Sequence, residues 1–300
     1  MRKKKILISG ILGYVAREIC ELLKDDYQIE GFDTNFIPDK VEWLARNGIK
    51  YHQRDVFDCK DLLQEAEFLI HTSGNTLVPM SLKDSNPTVD AEITKNGTLA
   101  TRYLLQHSPK NCKFLFLSTH CIWDSLTEEK TDIDESFPPC PLVAYSRSKT
   151  DSEADIKNSG LDYIILRLAS VYGYNPNLRY KILPNLFSKM AALNQPIKVF
   201  GSGRNKKPLV SIHDVGLVIQ HLLNLNVKNE TFNITSCYKE VIEVAEICKK
   251  FAPNLIIEHT NDEIPNLGYT ISNKKITDTG FHFNDDLEFE IQKMVKLWSV

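Results

Sequence analysis

Lys5-Ile6-Leu7-Ile8-Ser9, followed at once by Gly10-Ile11-Leu12-Gly13-Tyr14-Val15-Ala16, is the stretch that decides the fold. The first five residues form a short apolar, β-branched run, which predicts a buried strand. Apolar residues then recur at Val15, Ile19, Leu22 and Leu23, the spacing of an amphipathic helix. A strand, a tight turn and a helix are therefore expected here. Glycine at 10 permits an unusual backbone angle, glycine at 13 lets a pyrophosphate approach the main chain, and small Ala16 lets the helix pack closely on the strand. The helix N-terminus would face the phosphates, which makes Gly10 and Gly13, with the backbone of Leu12, Tyr14 and Val15, a candidate pyrophosphate cradle. The spacing is G-x-x-G-x-x-A rather than G-x-G-x-x-G, so a βα turn with no ligand is the plain alternative.

Outward from this turn the pattern repeats. A second strand, Tyr27 to Phe32, ends at Asp33, a little over ~20 residues after the first glycine, where such folds place an acid on the adenosine ribose. A carboxylate there accepts hydrogen bonds from ribose hydroxyls and repels a 2′-phosphate, and no arginine follows it directly, so NAD is expected rather than NADP. Short runs at Ile49 to His52 and Arg54 to Val56, a helical stretch at Asp58 to Leu63, and a buried-type strand Phe68-Leu69-Ile70-His71 come next. Helical spacing returns over Val89 to Gln106, and Lys113 to Leu117 reads as another buried strand running into Ser118-Thr119. Strands alternating with helices predict an α/β fold with a Rossmann-type, doubly wound parallel sheet.

Tyr145-Ser146-Arg147-Ser148-Lys149 adds chemistry. On a helix, residues four apart share a face one turn apart, so the Lys149 ammonium can sit near the Tyr145 phenol. A free phenol titrates near pH ~10, and a neighbouring positive charge favours phenolate, moving the tyrosine toward the range of a general acid or base. The same spacing also arises by chance on exposed helices, and its weight comes from the rest of the chain.

Taken together, these features resemble the extended short-chain dehydrogenase/reductase family of nucleotide-sugar epimerases, dehydratases and ketoreductases. Gly10/Gly13/Ala16, Asp33, Asp55-Val56, Ser118-Thr119 and Tyr145/Lys149 occur in the family's order. Leu166-Arg167-Leu168-Ala169-Ser170-Val171-Tyr172-Gly173 is similar to its strand after the active-site helix, and Val199 to Gly203 with Leu209 to Val215 to its substrate-domain signature. The resemblance implies that Gly10 and Gly13 hold the pyrophosphate, Asp33 the adenosine ribose, Asp55 and Val56 the adenine edge, and Thr72, Ser73 and Gly74 the middle of the cofactor. It implies a catalytic set of Thr119 on the reacting sugar oxygen, Tyr145 as acid/base, and Lys149 on the nicotinamide ribose. No metal is expected.

Departures narrow the reaction. The family's 4,6-dehydratases carry an Asp-Glu pair after the active-site threonine, and here His120-Cys121 stand there, so dehydration is disfavoured. Thr94 and Ser170 occupy positions that are often asparagine. Where the family's substrate-domain loop has an arginine seven residues before the aspartate matching Asp214, this chain has Lys207, a point charge without bidentate geometry. Trp123-Asp124 and Pro141-Leu142 resemble sugar 4-ketoreductases, whereas Gly201 to Val215 resembles epimerases. Epimerisation on a nucleotide-linked sugar is the expected function, with 4-ketoreduction as the rival and a non-catalytic dinucleotide-sensing or scaffold protein as the alternative of another class.

The second half reads as a smaller, discontinuous α/β substrate lobe. Residues 1–172, joined by about 209–235, are assigned to the NAD-binding domain, and 173–208 with 236–300 to the lobe. Helical patterns cover Ile182 to Leu193, Asp214 to Leu225, Val241 to Phe251 and Leu287 to Trp298, with strands at Thr231 to Ile234 and Leu255 to Glu258. Candidate substrate contacts are His120, Tyr172, Lys181, Asn185 and Lys207.

Composition sets the outer bounds. With 300 residues, 42% hydrophobic and a formal net charge of −3, nothing suggests nucleic acid as a partner. The seven cysteines show no CxxC pair or metal-ligand cluster and read as reduced packing residues of a cytoplasmic protein. The basic start before Ile6 looks superficially like a secretory leader, but Gly10, Gly13, Arg17 and Glu18 interrupt it. No run is long enough to span a bilayer, and a homodimer is an expectation from the resemblance.

Overall fold

The structure is a computed structural model and describes residues 2–74, 86–225, 227–261, 268–284 and 286–299. The first half alternates as expected: β1 (Lys5–Ser9), α1 (Tyr14–Leu23), β2 (Gln28–Asp33), α2 (Pro38–Arg46), β3 (Lys50–Gln53), α3 (Lys60–Leu63), β4 (Phe68–His71), α4 (Pro87–Thr94), α5 (Ala100–His107) and β5 (Lys113–Thr119). It continues through β6 (Lys130–Ile133), α6 (Ala144–Lys157), β7 (Tyr163–Leu168), β8 (Ser170–Tyr172), α7 (Leu183–Ala192), β9 (Ile197–Phe200), β10 (Lys206–Ser211) and α8 (Ile212–Asn224). β11 (Glu230–Ile234), β12 (Cys237–Glu240), α9 (Val241–Phe251), β13 (Ile257–Thr260), β14 (Tyr269–Ile271), α10 (Lys274–Thr277) and α11 (Leu287–Trp298) complete it.

Seven strands form the main sheet in the order β11-β7-β5-β4-β1-β2-β3, and the β5-β4-β1-β2-β3 pairs are all parallel. β1 sits between β2 and β4, which is where the strand order reverses, and open α/β sheets bind ligands at that crevice. Centrality explains its composition: all five residues of β1 are buried, and Ile6, Leu7 and Ile8 have no exposed surface. Each such side chain contributes about 1.5–3 kcal/mol of burial, which fixes the strand that launches the glycine turn.

Contacts divide the chain into two units, Met1–Asp124 with Pro139–Arg167 and Gly216–Phe232, and Ser125–Pro138 with Leu168–Val215 and Asn233–Val300. Segment 125–138, assigned by sequence to the NAD-binding domain, groups with the second unit because Lys130–Ile133 pairs in parallel with Tyr269–Ile271. Leu168–Tyr172 moves likewise, since β8 pairs with β10 in a three-stranded sheet ordered β12-β10-β8. The core of the second unit gathers Tyr172, Phe187, Leu209, Val244, Ile291 and Met294.

The helix expected over Val89 to Gln106 is interrupted by a π-helical turn at Lys95–Leu99. At its centre Gly97 packs on α6, and a Cβ there would lie 2.1 Å from Ser148 Oγ. Thr98 Oγ1 donates to Ser148 Oγ at 3.1 Å, so the turn is held against the helix that carries Tyr145.

Candidate active site

A cleft of about 510 Å³ opens in the first unit over the crevice at the ends of β1, β2 and β4. Its walls carry Gly10, Gly13, Asp33, Asp55, Val56, Thr72, Ser73 and Gly74, so the structure brings most of the sequence-named cofactor residues around one space. The turn is built by close approach. Gly10 has φ +73°, its N–H donates to Phe32 O at 2.8 Å, and a Cβ on it would lie 2.8 Å from Ser73 Cα. Any side chain there would be both strained and blocked. Gly13 N–H closes the turn on Gly10 O at 2.9 Å and starts α1, whose first turn has no side-chain cap and no acidic residue. An anion is the natural complement of such a helix end. Leu12 and Tyr14 are buried, and their contribution would come from the main chain.

Asp33 stands at the end of β2, with Oδ1 accepting from Asn35 N and Nδ2, both at 3.1 Å. Asp55 caps a short 3-10 turn by accepting from Phe57 N at 2.9 Å, and Val56 is buried beside it. Thr72 Oγ1 donates to Ser9 O at 2.6 Å, tying β4 to the glycine turn. Five further residues line this cleft that the sequence reading did not single out for the cofactor, Phe32, Thr34, Asn35, Arg54 and Asn96. Beside the glycine turn, Lys40 of α2 donates to Leu12 O at 3.0 Å.

The candidate catalytic residues occupy two adjoining elements of the same unit. Thr119 ends β5, buried, and its Oγ1 accepts from Cys121 N at 3.1 Å. Tyr145 and Lys149 lie one turn apart on α6. Asp124 anchors the start of that helix: it accepts from Leu142 N at 2.5 Å and Ser146 Oγ at 2.7 Å. Burial pushes the Asp124 carboxyl above the ordinary range, against the pull of these hydrogen bonds. The Trp-Asp and Pro-Leu signature thus has a structural role in seating the tyrosine's helix.

Lys149 donates to Leu117 O at 2.7 Å and sits 4.5 Å from the centroid of the Phe116 ring. Burial lowers its pKa from 10.5 to about 8, with the Glu153 carboxylate pulling the other way. Behind it His71 is buried, bonded to Ser9 Oγ at 2.7 Å and Thr101 Oγ1 at 3.2 Å, and burial together with the Lys149 charge drops its pKa to about 3. The imidazole therefore stays neutral, and Lys149 carries the charge.

A stability test isolates that charge. A half-buried lysine whose native pKa lies below its unfolded value destabilises the fold while protonated, and the cost is relieved as pH rises from about 8 toward 10.5. Lys149→Met has no such titration. Urea unfolding at pH 7 and pH 10 is expected to show wild type gaining on Lys149→Met by a few kcal/mol, roughly what a shift of that size implies. A difference that does not change with pH would mean that Lys149 is not held charged in a buried site.

The substrate candidates are distributed differently. His120 is buried beside Thr119, with Nε2 3.8 Å from Cys121 Sγ. Tyr172, Lys181, Asn185 and Lys207 belong to the second unit. Tyr172 is fully buried in its core. Asn185 is also fully buried and spends its amide on backbone, accepting from Gly173 N and donating to Arg179 O, both at 3.1 Å. In this structure Asn185 supports the Gly173 turn and Tyr172 packs in the core. Lys207 lies in strand β10 opposite Lys239 of β12, not in a loop. Lys181 precedes α7 and is exposed.

Comparison with known proteins agrees with this geometry. Residues 6–235 match the model of the NAD dependent epimerase/dehydratase family. The chain belongs to that family. It is 25% identical to a trifunctional UDP-glucose 4,6-dehydratase/UDP-4-keto-6-deoxy-D-glucose 3,5-epimerase/UDP-4-keto-L-rhamnose-reductase of Arabidopsis thaliana, over 99% of this chain and 48% of the plant protein. The chain thus spans about half the length of that relative. It is 23% identical to human dTDP-D-glucose 4,6-dehydratase over 87% of this chain and 76% of the human one. Among solved structures, UDP-glucuronic acid 4-epimerase from Bacillus cereus, in complex with UDP-glucuronic acid and NAD, superposes with a TM-score of 0.85 at 20% identity, covering 98% of both chains. No helix among the described residues is long and apolar enough to cross a membrane.

Proposed function

We propose that the chain is an NAD-dependent, epimerase-type oxidoreductase acting on a carbinol of a nucleotide-linked sugar. The observation that carries this is the half-buried Lys149, held at Leu117 O one helical turn from Tyr145 and on the same unit as the 510 Å³ cleft with its glycine turn and Asp33. The residues fit a dinucleotide: a glycine cradle that a Cβ would fill, a helix end free of acidic side chains, and a carboxylate at the ribose position.

When bound, NAD supplies the hydride acceptor and donor. Tyr145 takes the proton of the sugar hydroxyl in one direction and returns it in the other, and Thr119 orients that oxygen. Lys149 favours phenolate at Tyr145 and holds the nicotinamide ribose. Gly10 and Gly13 seat the pyrophosphate, Asp33 the adenosine ribose, and Asp55 and Val56 the adenine edge.

Several named relatives are 4,6-dehydratases. This chain has His120-Cys121 where the resemblance places their acidic pair, so elimination of water is disfavoured. A nucleotide-sugar substrate, a cytoplasmic setting and a homodimer belong to the same proposal, supported by the seven free thiols and the family resemblance.

Denaturing the freshly purified protein and identifying released molecules by mass spectrometry tests this reading. Close to one NAD per chain is expected, since an epimerase regenerates its cofactor within each turnover. A site that fills only when NADH or NADPH is added would favour one-way 4-ketoreduction. Failure to bind any dinucleotide would remove the enzymatic reading.

A further inference from the structure

Between Thr119 and the anchor of the tyrosine's helix lies a short 3-10 turn, His120–Trp123, whose two titratable side chains the hydride and proton transfers above leave unused. Thr119 closes one end of it, with Oγ1 accepting from Cys121 N at 3.1 Å. At the other end Asp124 accepts from the hydroxyl of Ser146, the residue after Tyr145, at 2.7 Å. The turn is therefore strapped to the acid/base site on both sides. Within it His120, Ile122 and Trp123 are buried, and Cys121 is the residue that keeps exposed surface. Its Sγ lies 3.8 Å from His120 Nε2, within hydrogen-bonding reach for sulfur, and the histidine is only 8% exposed. Cys20, Cys59, Cys112 and Cys248 are different: they are buried, and burial pushes their thiols up to about 12. Those four pack the interior, whereas a part-exposed thiol against an imidazole is a proton-transfer pair.

We propose that Cys121, with His120 as the acceptor of its proton, is a second acid/base group that acts on carbon: it exchanges the hydrogen on the carbon next to the ketone formed at the oxidised carbinol. The proposal rests on the nucleotide-sugar reading of the site. Loss of hydride from a carbinol leaves a carbonyl, and a C–H bond beside a carbonyl is acidic enough for a side chain to break. The Cys121 thiol gives its proton to His120 Nε2, and the thiolate takes the proton from the neighbouring carbon. The C–H electron pair becomes the C=C bond of an enolate, and the carbonyl π pair moves onto oxygen. Thr119 is the hydroxyl assigned to that oxygen; its Oγ1 accepts from Cys121 N, so its own hydrogen is what can donate to the developing charge. The same hydrogen bond ties the residue carrying the thiol to Thr119, close to the carbon bonded to the carbonyl. Return of a proton from Cys121 to carbon restores the ketone. The step consumes no oxidant or reductant, and its trace is a hydrogen from water on the carbon beside the ketone.

The probes are UDP-4-keto-6-deoxy-D-glucose and its dTDP counterpart, incubated in heavy water with the full chain and read by mass spectrometry and proton NMR. Wild type is expected to place deuterium on the carbon beside the ketone well above the rate without protein. Cys121→Ser is expected to slow this exchange by about 10²-fold or more, the loss of a positioned acid/base. Reduction of the same ketone by NADH, followed in parallel, reports the rest of the site, so the ratio of exchange to reduction should fall with it, and Cys121→Ala should match Cys121→Ser. His120→Gln should slow exchange by about ten-fold near pH 7, where an unassisted thiol is only a few per cent thiolate, and recover toward about pH 9, above the ordinary thiol range. If Cys121→Ser keeps the wild-type ratio, or if wild type binds a keto sugar without washing deuterium into it, Cys121 does no carbon chemistry and the proposal falls while sugar binding upholds the substrate reading. Wild type that binds neither probe overturns both.

Discussion

Tyr145→Phe is expected to lower turnover by roughly 10²–10⁴-fold, the usual contribution of a positioned general acid/base, while nucleotide content on purification stays at the wild-type level. The substitution removes one oxygen and leaves the ring. The helix start does not depend on that oxygen, because Asp124 secures it through Leu142 N and Ser146 Oγ. Lys149 is equally independent of the phenol for its place, being tied to Leu117 O and packed on Phe116. The site that remains should therefore bind cofactor and substrate and fail at proton transfer. In kinetic terms kcat falls with little change in KM, the pattern of an interaction made in the transition state. Turnover at the wild-type rate would remove Tyr145 from the chemistry. Loss of bound nucleotide together with activity would mean that the hydroxyl serves the fold or the cofactor instead.

The main sheet was readable because its strands are buried on both faces and so appear as continuous apolar runs, as at Ile6 to Ile8, Phe68 to Ile70 and Phe114 to Leu117. The glycine turn was readable because only glycine tolerates φ +73° with Ser73 so close. What failed to show lacks a local signal. β6 pairs with β14 across more than a hundred intervening residues, so nothing near Lys130 announces a strand, and the segment changes unit. Gly97 within a helical pattern gave no hint of a π turn, which exists because Ser148 approaches from another helix. Lys40 carries no motif, and its hydrogen bond to Leu12 O joins residues 28 apart in the chain. Tyr172 and Asn185 were candidate substrate contacts, and their burial carries no signal in the local sequence.

Beneath the catalytic helix lies the pair whose rupture should cost most. Arg167 donates through Nη2 to Glu153 Oε2 at 2.8 Å and through Nε to both carboxylate oxygens at 3.1 and 3.2 Å, with the two side chains only 2% and 3% exposed. Ser118 Oγ donates to the same carboxylate at 2.6 Å, and the Arg167 guanidinium lies 5.2 Å from the Trp123 ring centroid. Arg167→Met would leave Glu153 buried with the Ser118 hydroxyl and an exposed ion-pair partner, Lys157 at 3.7 Å. A buried charge stripped of its partner typically costs about 3–5 kcal/mol, whereas removing both charges costs far less. Urea denaturation of the nucleotide-free protein should therefore find Arg167→Met severely destabilised and the double variant Glu153→Gln/Arg167→Met more stable than the single one. Glu153 also faces Lys149 and raises its pKa. Within the double variant the ammonium should accordingly lose part of its charge at neutral pH, so that turnover falls even where the fold has recovered. Recovery of stability and activity together would show that the pair serves packing alone; stability without activity ties the buried pair to the charge that Tyr145 depends on.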